Sequence, residues 1–339
     1  MKALITAPFH PDGIRLLRNH MEVVHESWKE TSRIYLDASS LAVKLLDLTA
    51  DVLIVEADMV YAETFDAVAL RLIGSARANP YNIDVEAATR KRVPVFYAPG
   101  RNAEAVADLT IGLMIALLRK LFQADRLLRS GKFSVGGERE LADLYTRFTG
   151  RELGAVTVGL VGLGDVGSRV ASRLHQGFQT RILVHDPFID PGRIRAVGAE
   201  PVPLDGLLQE SDIVSIHASV TEKTQGLIGA RELGLMRRSA YLVNTARSFI
   251  VDENSLHGAL KERKIAGAAL DVFDVEPVDS SNRFLDLDNV IVTPHIGGLT
   301  EEVVLHQSMI LAGDIDAYLK GGKPRFVKNP ETLPESQRA

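Results

Sequence analysis

The chain has no cysteine. That single absence removes disulfides, thiolate metal sites and a cysteine nucleophile together. No basic run stands out, and the formal net charge is −5. Binding to nucleic acid or to an anionic membrane through bulk charge therefore has no basis here. No apolar run is long enough to span a bilayer. The longest near a helix pattern, "LTIGLMIALL" from Leu109 to Leu118, is bounded by Asp108 and Arg119 and suits a buried helix. The apolar run of the N-terminal "MKALITAPFH" is too short for a signal peptide. A soluble, cytoplasmic protein without bound metal is expected. There is no internal repeat of short period and no low-complexity tract.

What remains is an ordinary globular composition, 46% hydrophobic and 24% charged over 339 residues, enough for two domains. In the first hundred residues, buried-strand patterns ("ALIT", "EVVHE", "VLIVEA", "RLIGSA", "VPVFYA") alternate with stretches of helical spacing. Such alternation predicts a parallel sheet covered on both faces. A long helical pattern runs from Ala103 to about Arg129, followed by a polar, glycine-containing connection to about Gly154. From "VTVGLVG" onward the alternation resumes and builds a second doubly wound sheet, ending at "NVIVTPHI". A last helical pattern runs from Glu301 through Tyr318, before a polar tail, "KNPETLPESQRA", that reads as loose at its end. No regulatory domain is expected after residue 330.

Within the second block, "GLVGLGDVGSRV" places Gly162, Gly164 and Gly167 after an apolar strand and before a helix. This is the context a dinucleotide loop needs, with a tight turn, close backbone approach to a pyrophosphate and close helix–strand packing. Asp186 ends the next strand pattern, about 20 residues on, where a carboxylate binds adenosine ribose hydroxyls and repels a 2′-phosphate. NAD is thus expected rather than NADP. Asp165 is electrostatically awkward beside a pyrophosphate, although its backbone N–H can still serve. A glycine loop so deep in the chain implies one domain inserted into another. The expected fold is α/β, with two doubly wound parallel-sheet domains. A Rossmann domain at 101–299 is inserted into a discontinuous, flavodoxin-like substrate domain at 1–100 and 300–339.

Three later segments end apolar strands with polar residues, the place where α/β sheets put their chemistry. They supply Arg247 in "VNTARSFIVDE", Asp271 and Glu276 in "LDVFDVEP", and His295 in "TPHIGG". Singly, each reads as a surface salt bridge or a capped polar residue. Together, after a dinucleotide loop, they form a set with chemical use.

In these motifs, and in "NIDVEAATRKRVPVFYAPGRNAEAVAD", the chain resembles the D-isomer-specific 2-hydroxyacid dehydrogenases. That group includes phosphoglycerate, glyoxylate/hydroxypyruvate and D-lactate dehydrogenases. The resemblance implies an NAD-dependent interconversion of a D-2-hydroxy acid and its 2-oxo acid. It implies that Arg247 holds the substrate carboxylate, that His295 exchanges the proton, and that Glu276 orients His295. It also implies cofactor contacts from Asp165, Val166, Ala218, Thr245 and Asp271, and a homodimer formed through the NAD-binding domain. The segment "GSARANPYNID" departs from the commoner "GRAGVGxDNID" and puts Arg77, Ala78 and Asn79 at the substrate loop, with the substrate itself left open. Ser248 stands where the family often has glycine. Formate dehydrogenases, which share this plan, use glutamine where this chain has Glu276. The alternative from another class is an NAD(H)-sensing scaffold of the corepressor type.

Overall fold

The computed structural model describes residues 1–131 and 136–338. The connection expected before Gly154 lies outside the described residues at 132–135, as does Ala339. The chain divides into two compact units, one of residues Met1–Asn102 with the segment from Leu299 onward, the other Ala103–Gly298.

The first unit holds five parallel strands, β1 (Lys2–Ile5), β2 (Glu22–His25), β3 (Val52–Val55), β4 (Leu72–Ser75) and β5 (Val95–Tyr97), in the order β2-β1-β3-β4-β5. This is the flavodoxin-like order. Its helices are α1 (Pro11–Arg18), α2 (Trp28–Thr31), α3 (Ala38–Leu48), α4 (Ala62–Ala67) and α5 (Val85–Arg90). β3 and β4 are buried along their whole length, as the unbroken apolar run of β3 and the small or apolar residues of β4 suit. One face of the sheet packs with Leu41, Leu45 and Phe65. The other packs with Ile14 and Leu17 of α1 and with Leu311, Ala312 and Ile315 of the C-terminal helix, Glu301–Leu319. Over its described residues the tail is held in place. Asn329 accepts from Val95 N (2.8 Å) and donates to the Val93 carbonyl (2.9 Å), and buried Gln337 donates to the Tyr318 carbonyl (2.8 Å). Two side-chain amides pin a segment whose polarity had suggested solvent.

The second unit opens with α6 (Ala103–Leu118), eleven of whose sixteen residues are buried, as its all-round apolar sequence requires. The helical pattern expected to reach Arg129 breaks at Lys120, which adopts a left-handed φ of 53°. It restarts as α7 (Leu121–Arg129). Part of the expected connection is helical too, α8 (Glu138–Phe148). Neither α7 nor α8 buries a residue.

There follow β6 (Thr157–Val161), α9 (Asp165–Arg173), β7 (Arg181–His185), α10 (Pro191–Ala196), β8 (Glu200–Pro201), α11 (Leu204–Glu210), β9 (Ile213–Ile216), α12 (Ala230–Leu235), β10 (Tyr241–Asn244), α13 (Glu253–Lys261), β11 (Gly267–Leu270) and β12 (Val290–Val292). All seven strands are parallel, ordered β12-β11-β10-β9-β6-β7-β8. The order reverses between β6 and β9, the crevice where doubly wound sheets bind ligands.

Candidate active site

The β6–α9 turn lies at this reversal, and its three glycines have three different reasons. Gly162 has φ +97°, and a Cβ there would stand 2.6 Å from Ala218 N. A Cβ on Gly167 would stand 2.5 Å from the Gly162 carbonyl oxygen. A Cβ on Gly164 would meet no protein atom within 4 Å. Packing therefore demands the outer two, while the middle one leaves open space in front of α9. Gly164 is also the N-cap of α9 and offers no side chain to its first-turn N–H groups. Those N–H groups, with the helix dipole, suit an anion. Asp165 is exposed, and Val166 follows it in the same turn.

Asp186, just past β7, accepts from Leu163 N (2.8 Å) on one carboxylate oxygen and from Phe188 N (2.9 Å) on the other. It thus ties the glycine turn to the β7 end, and each oxygen keeps a further lone pair. A cavity of about 300 Å³ opens beside it, lined by Gly162, Gly164, Asp186, His217, Ala218 and Thr224 among others. His217 escaped the sequence reading. It is half-buried overall, but its Nδ1 is wholly buried without a partner, and Nε2 contacts Ser215 Oγ at 2.9 Å. Burial pushes its imidazole down to about 4, so the ring is neutral near pH 7.

The ends of β10, β11 and β12 carry the remaining expected residues. Thr110 donates to the Val106 carbonyl (2.7 Å), so its 2.8 Å contact with Thr245 is donated by Thr245. Thr245 then faces any ligand as an acceptor, since a hydroxyl has one proton. Arg247 is exposed; its guanidinium donates to the Ala246 carbonyl (2.6 Å) and has no ion pair among the described residues. Glu276 and His295 are brought together, Oε2 to Nδ1 at 2.7 Å, and the other Glu276 oxygen accepts from Phe273 N at 3.0 Å. This contact fixes which ring nitrogen of His295 faces the carboxylate and leaves Nε2 to face outward.

Asp271 is 1% exposed and accepts three hydrogen bonds. It accepts from Thr293 Oγ1 (2.6 Å), Ile296 N (2.8 Å) and Gly297 N (2.8 Å). A Cβ on Gly297 would come within 2.9 Å of the Asp271 carboxylate, so the close approach needs glycine. Between these anchors His295 sits at φ +55°, the left-handed region. The carboxylate expected beside the nicotinamide thus spends its visible bonds on the loop that carries His295.

In the first unit, Arg77 follows β4. It stacks on Tyr81, with 4.7 Å between guanidinium carbon and ring centre, and donates to the Glu56 carbonyl and the Tyr81 hydroxyl. No carboxylate pairs with it among the described residues. Ala78 and Asn79 are exposed beside it.

The family model described as "D-isomer specific 2-hydroxyacid dehydrogenase, NAD binding domain" matches residues 111–297, more than half of the chain. The chain belongs to that family. YoaD of Bacillus subtilis is 40% identical over 315 residues, 92% of the dehydrogenase and 89% of YoaD. The D-3-phosphoglycerate dehydrogenase of Archaeoglobus fulgidus is 37% identical over 98% of the dehydrogenase, which spans only 60% of that relative. Among solved structures, a D-lactate dehydrogenase from Sporolactobacillus superposes with a TM-score of 0.79 at 26% identity, covering 97% of this chain and 99% of that one. The protein is therefore an NAD-dependent 2-hydroxyacid dehydrogenase, and the second unit carries its NAD-binding domain. The residues present fit that cofactor, with open space over Gly164, an uncapped helix N-terminus and a carboxylate-edged cavity beside them. No helix among the described residues of the dehydrogenase is long and apolar enough to cross a membrane.

Proposed function

We propose that the enzyme interconverts a small D-2-hydroxy acid and its 2-oxo acid, with Arg247, Glu276 and His295 as its working residues. The observation that carries this is the 2.7 Å contact between His295 Nδ1 and Glu276, in the same unit as an exposed Arg247 with no ion pair among the described residues. NAD, when bound, accepts or supplies the hydride at the substrate's C2. Arg247 pairs with the substrate carboxylate through charge-assisted, bidentate hydrogen bonds. His295 gives a proton from Nε2 to the carbonyl oxygen during reduction and takes it back during oxidation. Glu276 holds the ring in the orientation that leaves Nε2 free.

Asp165 and Val166 offer backbone N–H groups to the pyrophosphate, with Ala218 toward the adenosine and Thr245 toward the nicotinamide. Asp271 acts first on the His295 loop. The first unit is the substrate-binding domain in this reading. Arg77, which keeps three N–H bonds beyond its contacts with Glu56 and Tyr81, suits an anionic or polyhydroxyl group there. A cytoplasmic homodimer belongs to the same reading, supported by α7 and α8, which leave Leu121, Phe122, Leu128, Leu141 and Tyr145 exposed in the NAD-binding unit. NADH oxidation with a panel of 2-oxo acids, glyoxylate, pyruvate, hydroxypyruvate and phosphohydroxypyruvate among them, tests the proposal. Turnover of at least one is expected. NADH binding with no turnover across the panel would favour the non-enzymatic scaffold.

The Asp186 position carries a second expectation. Its carboxylate should make NADH bind and turn over at least about tenfold better than NADPH, roughly 1.4 kcal/mol. Asp186→Ala should shrink that ratio, and should also weaken NADH itself because Leu163 N and Phe188 N lose their acceptor. Fluorescence titration of both cofactors reads both effects. Equal affinities in the unaltered enzyme would overturn the assignment.

A further inference from the structure

Asn244 closes β10 and is 2% exposed. Its Oδ1 accepts from Ala246 N at 3.1 Å and its Nδ2 donates to the Arg247 carbonyl at 2.9 Å. A flipped amide would set donor against donor and acceptor against acceptor, so the network fixes the orientation. The main-chain carbonyl of Asn244 meanwhile accepts from Asp271 N at 3.0 Å. One buried residue therefore makes two bonds to the turn that bears Arg247. It makes a third to the residue that anchors the His295 loop.

Residue chemistry narrows the choice at this position. Aspartate has the acceptor but, ionised, no donor. Serine is too short to bridge both groups, and glutamine would carry an extra methylene into a site where the present residue is only 2% exposed.

We propose that Asn244 is a positioning residue for Arg247, fixing the backbone from which the guanidinium reaches the substrate carboxylate. The proposal rests on the reading of Arg247 as carboxylate binder. Arg247 has extended backbone, φ −145° and ψ 142°, and among the described residues its guanidinium is held by nothing more rigid than the neighbouring Ala246 carbonyl. Its placement thus depends on the turn, and the turn depends on the amide. Without that amide the Ala246 N–H and the Arg247 carbonyl turn to water, and the guanidinium moves with them. A displacement on the order of 1 Å in such a group costs about 100-fold in rate.

The experiment uses the full-length enzyme carrying Asn244→Ala or Asn244→Asp, each in the unaltered background and in Arg247→Lys. Melting temperature, NADH affinity by fluorescence, and kcat/KM for the best 2-oxo acid of the panel are read for each. In the unaltered background kcat/KM should fall about 10- to 100-fold, while NADH affinity stays within about threefold. Lysine keeps the charge but not the bidentate geometry. In that background Asn244→Ala should cost less than about threefold more, because the two changes remove one interaction. Asn244→Asp adds a test that a merely structural role would not pass. As the pH falls, the buried carboxyl takes up a proton and regains a donor for the Arg247 carbonyl. Its kcat/KM, relative to the unaltered enzyme, should then rise from pH 8 to pH 5.5. Should Asn244→Ala fail to fold, Asn244→Asp carries both comparisons. Equal losses in the two backgrounds would overturn the proposal, as would a loss that follows NADH affinity, no loss at all, or a flat pH ratio. Full kcat/KM in Arg247→Lys alone would instead remove the role given to Arg247, and the proposal with it.

Discussion

His295→Ala should lower kcat by about 10²- to 10⁴-fold, the usual worth of a positioned proton donor, and leave NADH affinity within about threefold. The imidazole has one nitrogen committed to Glu276 at 2.7 Å and the other without a protein partner among the described residues. Alanine removes the proton while sparing the glycine turn, Asp186 and the cavity beside them, none of which His295 touches. The loss should therefore fall on kcat and leave the fluorescence titration with NADH almost unmoved. Residual turnover would come from water acting as acid and from Arg247 still holding the substrate. Retention of full kcat would sink the acid–base role, and a parallel collapse of NADH affinity would place His295 in the cofactor site instead.

The second large effect is expected from Asp271→Asn, a change of one atom with almost no change of shape. The carboxylate accepts from three donors, Thr293 Oγ1, Ile296 N and Gly297 N. An amide must turn its own N–H group toward one of them, so one bond becomes donor against donor. Each buried group left unpaired costs about 1–3 kcal/mol. That loss falls on a loop already holding His295 in the left-handed region, which itself costs on the order of 1 kcal/mol. The loop should relax, the melting temperature should drop by several degrees, and kcat should fall on the order of 100-fold with NADH affinity little changed. A fall in NADH affinity that matches the fall in kcat would instead give Asp271 the direct nicotinamide contact that the resemblance implies.

Much of this site is legible in the sequence because its cues are local. Gly162, Gly164 and Gly167 announce a turn through their spacing, and Asp186 stands a fixed distance down the chain from them. Arg247 and His295 each stand shortly after an apolar run of strand length, and Glu276 stands a few residues further past one. Asn244 gives no such cue, since its work is a side-chain-to-backbone clamp visible only once β10 is known to end there. The glycines after His295 mark a tight turn, yet the left-handed residue is the histidine itself. His217 was hidden in the same way, as the last polar residue of an apolar run. In the fold, the break at Lys120 has no glycine or proline to announce it. α8 carries Leu141, Leu144, Tyr145 and Phe148 at helical spacing, but the glycines and polar residues in front of it make the whole stretch read as a connection, and none of its residues is buried.

The first unit is assembled from the two ends of the chain, and this gives its parts an order in time. A ribosome releases β1–β5 early, but one face of their sheet is covered by Leu311, Ala312 and Ile315 of the C-terminal helix. β5 also waits for Asn329, whose side chain takes up Val95 N and the Val93 carbonyl. Between them about 200 residues must be made, which at ~5–20 residues per second occupies roughly 10–40 s. The NAD-binding unit is contiguous and can close while that sheet face has only α1 on it. During that interval the apolar side of α1, β1 and β3 is the nascent chain's exposed surface, the part of this molecule that most needs shelter from its neighbours on a crowded polysome.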